Sequence, residues 1–303
     1  MLRKQLEIPP EETLKECCND GHFGKCRGGD RRGERHWPRA LAARGCDLAL
    51  ADRDEAGLAC VVGELAKSGR KVTTHRVDVS EPAQIDAFAA AAIAAHPTLN
   101  ILINNAGVAL LGQFNEIDQA QFEWLMNINF WGVVHGTRVF LPQLSSRSAA
   151  HIVNISSIFG IIAPPGQTAY CASKFAVRGF SEALRHELKL ALSPVKLSVV
   201  HPGGIATNIV RNMRTGVAVT DNARRAEVIE FFDKEFAKTT AQAAATAIIA
   251  GIEKNAPRIL IGGDARMLDR LQRILPGTYF RILKRRMAKR EGQASASAAA
   301  GAI

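Results

Sequence analysis

No apolar run in the 303-residue chain approaches the roughly 20 residues that a membrane span needs; the longest, 87–95 and 243–250, stop far short. A transmembrane helix is therefore not expected, and residues 1–15 are too polar for a secretory signal. The six cysteines, at positions 17, 18, 26, 46, 60 and 171, form no CxxC pair and no regular disulfide-type spacing. That pattern points to a reducing, cytoplasmic location. Neither a repeat nor an internal Gly/Ser linker divides the chain, so one domain is expected. Disorder throughout is excluded by 47% hydrophobic and 22% charged residues, with a mean hydropathy of −0.02.

Acidic residues are in deficit: 29 against 39 Lys and Arg give a net charge of +10. The excess is confined to two places. Residues 25–39 hold six bases and two acids, and residues 281–290 hold six bases and no acid. The remaining chain is close to neutral, which removes the basis for a nucleic-acid surface.

Short β-rich runs at 46–51, 71–77, 100–103, 150–155, 196–200 and 258–261 alternate with helical patterns at 55–67, 82–95, 118–144, 168–192 and 240–254. Such alternation predicts an α/β fold, a doubly wound, Rossmann-like parallel sheet covered on both faces. Ligands bind such sheets beyond the carboxyl ends of the strands. Attention therefore falls on Asp52, Asp78, residues 104–107, Ser156, Ser157 and residues 202–207.

The sharpest local pattern is Tyr170-Cys-Ala-Ser-Lys174. Four residues apart on a helix, the phenol and the ammonium share one face. A tyrosine of ordinary pKa, near 10, is a poor acid–base catalyst at pH 7, and a neighbouring ammonium would lower that pKa by stabilising the phenolate. Ser157, thirteen residues earlier at a strand end, is placed to hydrogen-bond a carbonyl that Tyr170 protonates. Asn129 sits inside an apolar helical stretch, where a buried amide either accompanies a kink or binds water and ligand.

The ordered set Asn104-Asn-Ala-Gly107, Asn129-Phe-Trp-Gly132, Ser157, Tyr170-x-x-x-Lys174 and His201-Pro-Gly-Gly204 resembles the short-chain dehydrogenase/reductase family, of the single-domain type, over about residues 40–263. The resemblance implies hydride transfer between a nicotinamide cofactor and a carbonyl or alcohol. It makes Tyr170 the acid–base and gives Lys174 the nicotinamide ribose and the lowering of the tyrosine pKa. Ser157 would orient the substrate oxygen, and Asn129 would hold a water of the proton relay. Asp78 and Val79 resemble the adenine-contacting pair. Asn105, Ala106 and Gly107 would line the cofactor cleft, as would Pro202 and Gly203, while Ile205 and Thr207 would reach the carboxamide. Asp52, ending the second family strand, suits the ribose hydroxyls of NAD and repels a 2′-phosphate, so NAD is favoured over NADP, with Arg53 the discordant neighbour. No metal site is assigned. A homodimer or homotetramer packed through the helices of Asn129 and Tyr170 is likewise implied by the resemblance alone.

One feature of the family is missing. Its first strand ends in a glycine loop, T-G-x-x-x-G-I-G, that brings backbone amides to the pyrophosphate at a helix N-terminus. Residues 25–39 read KCRGGDRRGERHWPR instead, which suits neither a buried strand nor that loop. A one-nucleotide shift of reading frame converts positions 26–38 into A-V-V-V-T-G-A-A-S-G-I-G-R, a strand and the missing loop. Residues 26–39 therefore read as a frameshifted segment, through sequencing error or a real lesion; an arginine-rich loop that works as it stands is the competing interpretation. In the lesion case the chain loses its phosphate cradle, and a catalytically silent binding or scaffold protein becomes the alternative to an enzyme.

Residues 1–24 read as an N-terminal extension, 25–275 as the dehydrogenase domain with 25–39 aberrant, and 276–303 as a basic tail disordered at its end. Substrate would lie between residues 158–165, apolar enough for a hydrophobic alcohol or carbonyl, and a lid at 208–237 containing Met213, Phe231 and Phe232. In the tail, Tyr279, Phe280, Ile282 and Leu283 beside the bases suggest weak peripheral membrane contact, with a solvated helix end as the other reading.

Overall fold

The computed structural model describes residues 16–20, 36–219 and 221–284. Five short segments with largely apolar interiors, β2 (Asp47–Asp52), β4 (Ile101–Asn104), β6 (Ala150–Ile155), β7 (Val195–Pro202) and β9 (Arg258–Ile261), lie in one sheet with β1 (Glu16–Asp20) and β3 (Val72–Arg76). The order is β3-β2-β1-β4-β6-β7-β9, and every pairing is parallel. Strand order reverses between β1 and β4, which opens the cofactor crevice of a doubly wound sheet there. β4 and the last five residues of β2 are buried throughout, as expected of strands covered on both faces.

The helical patterns become α2 (Glu55–Leu65), α3 (Pro82–Ala95), α4 (Gln119–Met126), α5 (Gly132–Ser145), α6 (Thr168–Leu190) and α8 (Ala241–Glu253), preceded by α1 (His36–Ala42). Their starts are chemically marked: proline opens α3, the Asp118 carboxylate caps α4 through the Gln121 amide at 2.7 Å, and the Thr240 hydroxyl caps α8 through Ala243 at 3.1 Å. Two apolar layers result. Leu48, Leu50, Ile101, Ile103, Ile248 and Ile252 fill one face; Leu102, Ile152, Phe88, Phe140, Leu144 and Leu197 fill the other.

Four features depart from the sequence reading. The central slot is occupied by Glu16–Asp20, within the stretch read as an extension, because parallel pairing to β2 and β4 is a backbone interaction that a polar segment can supply. Residues 208–237 are more structured than a loop: β8 (Arg214–Thr215) pairs in parallel with β5 (Leu110–Leu111), and α7 (Asn222–Phe231) follows. Helix α9 (Gly263–Ile274) leads into a turn and a further helical segment at 279–284, in which Tyr279 and Leu283 pack against Ile158, Ile161 and Ile162. Two of the four apolar residues assigned to a membrane-facing helix are thus turned into the protein; the end of the basic tail lies outside the described residues. Finally, Cys46 and Cys171 are free thiols that burial pushes up to about 12, whereas Cys60 is disulfide-bonded, which its spacing does not foretell. None of the described helices is long and apolar enough to cross a membrane.

Candidate active site

Ser157 leaves β6 in an extended conformation and enters a single 3-10 turn, Ile158–Gly160, where its hydroxyl accepts the Phe159 amide at 3.1 Å. Tyr170 and Lys174 sit one turn apart on α6. The Tyr170 phenol lies close enough to Ser157 for the serine to lower its pKa. Phe159 meets the Tyr170 ring edge-on, with centroids 6.1 Å apart. Lys174 is buried; its Nζ donates to the Ile155 carbonyl at 3.0 Å and lies 5.7 Å from the centre of the Tyr170 ring.

Asn129 lies in a π-helical stretch, Asn127–Trp131, that joins α4 to α5, so the kink reading of a mid-helix asparagine applies. Its amide is engaged by protein. Oδ1 accepts the Val108 amide at 2.8 Å, while Nδ2 donates to the Val108 carbonyl at 3.0 Å and to Ser173 Oγ at 3.2 Å. The side chain therefore clamps the loop after β4 onto α6. Gly107 is in the same clamp: a Cβ there would lie 3.5 Å from both Asn129 Oδ1 and Lys174 Nζ.

Burial pushes the Tyr170 phenol up to about 12, and the neighbouring Ser157 opposes the shift. The direction is opposite to the lowering expected from Lys174. The cause is geometric: the ammonium faces the Ile155 carbonyl and the ring, while loss of water around a phenolate is the larger effect.

The other candidate residues ring the carboxyl edge of the sheet. Asp52, 4% exposed, ends β2 and accepts the Asp54 amide at 2.8 Å; Arg53 beside it is exposed. Asp78 closes a turn into α3 through Ser80, its Oδ1 taking the amide at 2.9 Å and the hydroxyl at 2.6 Å. Val79 presses on the start of α5, where a Cβ on Gly132 would come within 3.1 Å of it. Asn105 and Ala106 are partly buried in the loop after β4. Beyond Pro202, the Gly203 amide donates to Ile261 at 2.9 Å and that of Gly204 to the Asp264 carboxylate at 2.7 Å. Ile205 bridges Thr239, and the Thr207 amide folds back onto the Ile205 carbonyl at 2.8 Å. A side chain on Gly204 would overlap the Phe236 carbonyl, which explains the second glycine of the His-Pro-Gly-Gly motif.

These positions fit a dinucleotide at both ends: a buried carboxylate for ribose hydroxyls at Asp52, and a phenol, an ammonium and a serine hydroxyl together at the other. The segment that would meet the pyrophosphate, residues 21–35, lies outside the described residues. The substrate side is altered in one respect. Ile158, Ile161 and Ile162 are buried in a cluster with Ala265 and Leu268, so most of the apolar character of 158–165 serves packing, and Phe159 remains beside Tyr170. In the lid, Met213 is buried, Phe231 is 41% exposed, and Phe231 and Phe232 both pack against Phe236. Sequence reasoning met His201 only as part of the His-Pro-Gly-Gly motif and gave it no role, and it passed over Arg178 and Asp264; the signal available for His201 was a histidine near the end of a buried strand next to the glycine pair.

Comparison with known proteins follows this geometry. The family model described as short chain dehydrogenase matches residues 35–218. A Mycobacterium tuberculosis protein named as an oxidoreductase, SadH, is 41% identical over 249 residues, which cover 82% of this chain and 89% of that one. A solved short chain dehydrogenase/reductase from Burkholderia phymatum, in complex with NAD, aligns with a TM-score of 0.75 at 30% identity, covering 88% of this chain and 95% of that one. A metagenomic short-chain oxidoreductase in complex with NADP shares the fold, with a TM-score of 0.62, 23% identity and coverage of 83% and 98%.

Proposed function

The chain belongs to the short-chain dehydrogenase family, and from that premise we propose that it is an NAD-dependent oxidoreductase acting on a hydrophobic alcohol, ketone or aldehyde. The observation that carries the reading is the Lys174 ammonium buried 5.7 Å from the centre of the Tyr170 ring, with Ser157 close enough to that phenol to lower its pKa. NAD, when bound, supplies the hydride acceptor, and its reduced form the donor.

Tyr170, protonated at neutral pH, delivers its proton to a substrate oxygen as that oxygen gains charge, or takes the proton in the reverse direction. Ser157 accepts the Phe159 amide, which leaves its own proton for that oxygen or for the phenol. Lys174 is held by the Ile155 carbonyl at the base of the cleft, where an ammonium suits ribose hydroxyls. Asn129 fixes the wall at 105–108 against α6 and so keeps Gly107 close to Lys174. The buried carboxylate of Asp52 supports NAD over NADP, because a 2′-phosphate there would meet like charge. Trp131, 45% exposed, and Phe175, 40% exposed, support a dimer packed through the helices of Asn129 and Tyr170.

A second reading, a binding or scaffold protein without turnover, has one observation in its favour: the family match begins at residue 35, beyond the segment where the glycine loop belongs. Calorimetry with NADH separates the two. Binding heat is expected for the enzyme; no heat and no thermal shift retire the enzymatic reading for this chain. A panel of hydrophobic alcohols and carbonyls, followed by nicotinamide absorbance, then tests the chemistry. Turnover retained in Tyr170→Phe overturns the acid–base assignment.

A further inference from the structure

The Ser157 carbonyl takes part in two hydrogen bonds, accepting from the Gly160 amide at 2.9 Å and from Nδ1 of His201 at 2.9 Å. A carbonyl oxygen has no proton to give, so Nδ1 carries the proton of the imidazole. His201 is fully buried near the end of β7, and its Nε2 has no hydrogen-bond partner among the described residues. Burial lowers the ring to about 4, against the opposing pull of the Ser157 bond, so one neutral tautomer persists at neutral pH. A histidine retained in the core with one nitrogen unpaired is held for what the other nitrogen does.

The far end of the same turn is tied separately. Arg178, one turn beyond Lys174 on α6, donates from Nη1 to the Gly160 carbonyl at 3.3 Å and from Nε to Glu182 at 3.1 Å. Glu182 in turn accepts from Arg258 at 3.2 Å. Gly160 itself is pressed onto α6, since a Cβ there would strike the Lys174 carbonyl and Ser156 Oγ. The turn bearing Ser157 is thus fixed at its entry by His201, at its exit by Arg178 and from beneath by the backbone of Lys174.

We propose that His201 is a positioning residue for Ser157: its Nδ1–H fixes the serine carbonyl so that Oγ stays against the Tyr170 hydroxyl, with Arg178 anchoring the other end of the turn. The proposal rests on Ser157 acting together with Tyr170, as read above. His201→Leu removes the donor, whereas His201→Asn places an amide N–H near the position of Nδ1. In the full-length chain, His201→Leu is expected to melt as a folded protein and to bind NADH like the unsubstituted chain. Its kcat should fall about 10- to 100-fold with KM changed by less than about 3-fold, as for a misplaced group that is not itself consumed. Amide exchange at Phe159 and Gly160 should quicken by about 10-fold or more while β6 is unaffected. His201→Asn should recover most of both losses.

Unchanged kcat and unchanged exchange in His201→Leu, or His201→Asn as impaired as His201→Leu, overturns the proposal. If Ser157→Ala turns over like the unsubstituted chain, it is the functional reading that fails. Exchange at Phe159 and Gly160, which needs no turnover, then decides the positioning role by itself: faster exchange in His201→Leu supports it, and unchanged exchange overturns it.

Discussion

Lys174 directs its Nζ 3.0 Å from the Ile155 carbonyl and 5.7 Å from the centre of the Tyr170 ring, so the ammonium faces the ring and a backbone oxygen. Dehydration of the phenolate then outweighs its attraction to that charge, and the phenol rises to about 12.

With only two tyrosines in the chain, this is directly measurable. In Tyr279→Phe, the ultraviolet absorbance of tyrosinate reports Tyr170 alone. The transition is expected near 12, well above the roughly 10 of a solvated tyrosine. A folded-state pKa above the unfolded one means that the stability this group contributes is fully present below about pH 10 and lost as pH passes through about 12. A midpoint at or below that of free tyrosine would show that Lys174, not burial, controls the group. The same protonation favours carbonyl reduction at neutral pH, so the rate of alcohol oxidation should climb with pH where that of reduction does not.

A buried polar ladder links the sheet to α6 behind the site. Asn104 Nδ2 donates to Asn154 Oδ1 at 2.8 Å and to Thr137 Oγ1 at 3.0 Å, and Asn154 Nδ2 donates to Ser181 Oγ at 2.9 Å. Asn154 is fully buried, so Asn154→Ala leaves two partners short of a bond and opens a small cavity. A loss of about 2–4 kcal/mol is expected, a fall in Tm of roughly 3–6 °C for a chain of this size. A melt within about 2 °C of the unsubstituted protein would show that water replaces the amide without penalty.

The frame of the fold is legible in the sequence because its strands and helices are long enough to show their own periods. Residues 82–95, 150–155 and 258–261 coincide in both descriptions. Short pieces such as Leu110–Leu111 against Arg214–Thr215 are not legible, since two residues carry no period and their pairing is set by tertiary contact. The candidate residues could be proposed from their type and order, but the engagement of Asn129 by Val108 could not, because an asparagine reads the same whether it holds water or backbone. Nor could the anchoring of Ser157 by His201, which depends on the register of β6 beside β7.

Residues 208–237 are tied to the body by Glu116, which accepts from Arg224 Nη1 at 2.7 and 2.8 Å, while Arg214 stacks over Trp124 at 3.8 Å. The Glu116 carboxyl lies below its ordinary range, first because of the Gln113 amide and then because of Arg224. A depressed folded-state pKa means that this tie is intact above the usual carboxylate value, about 4.3, and is lost only as pH falls through the lower folded one. Arg224→Ala should therefore expose Trp124 to collisional quenching at pH 7 as the unsubstituted protein does only in acid. It should also quicken amide exchange at Arg214 and Gly216, whose N–H groups bond Ala109 and Leu111. Quenching and exchange unchanged in the variant would show that the β5–β8 pairing holds the segment without the ion pair.

The central slot of the sheet offers the decisive test of residues 26–38. β2 and β4 flank it with side chains buried almost throughout, yet the segment between them is Glu-Cys-Cys-Asn-Asp, three of whose five residues carry polar side chains. Replacing 26–38 by A-V-V-V-T-G-A-A-S-G-I-G-R supplies a β-branched strand that competes for that slot, and a glycine loop whose amides reach the pyrophosphate at the start of α1. Burying three valines in place of polar residues is worth several kcal/mol, at roughly 1.5–3 kcal/mol each. The replaced chain is therefore expected to melt at least about 5 °C higher and to bind NADH with measurable heat. The unreplaced chain should bind NADH more weakly than the replaced one, because Asp52 and Lys174 at the two ends supply no backbone amides for the phosphates between them. Equal NADH binding by both chains would instead establish the arginine-rich segment as a working loop.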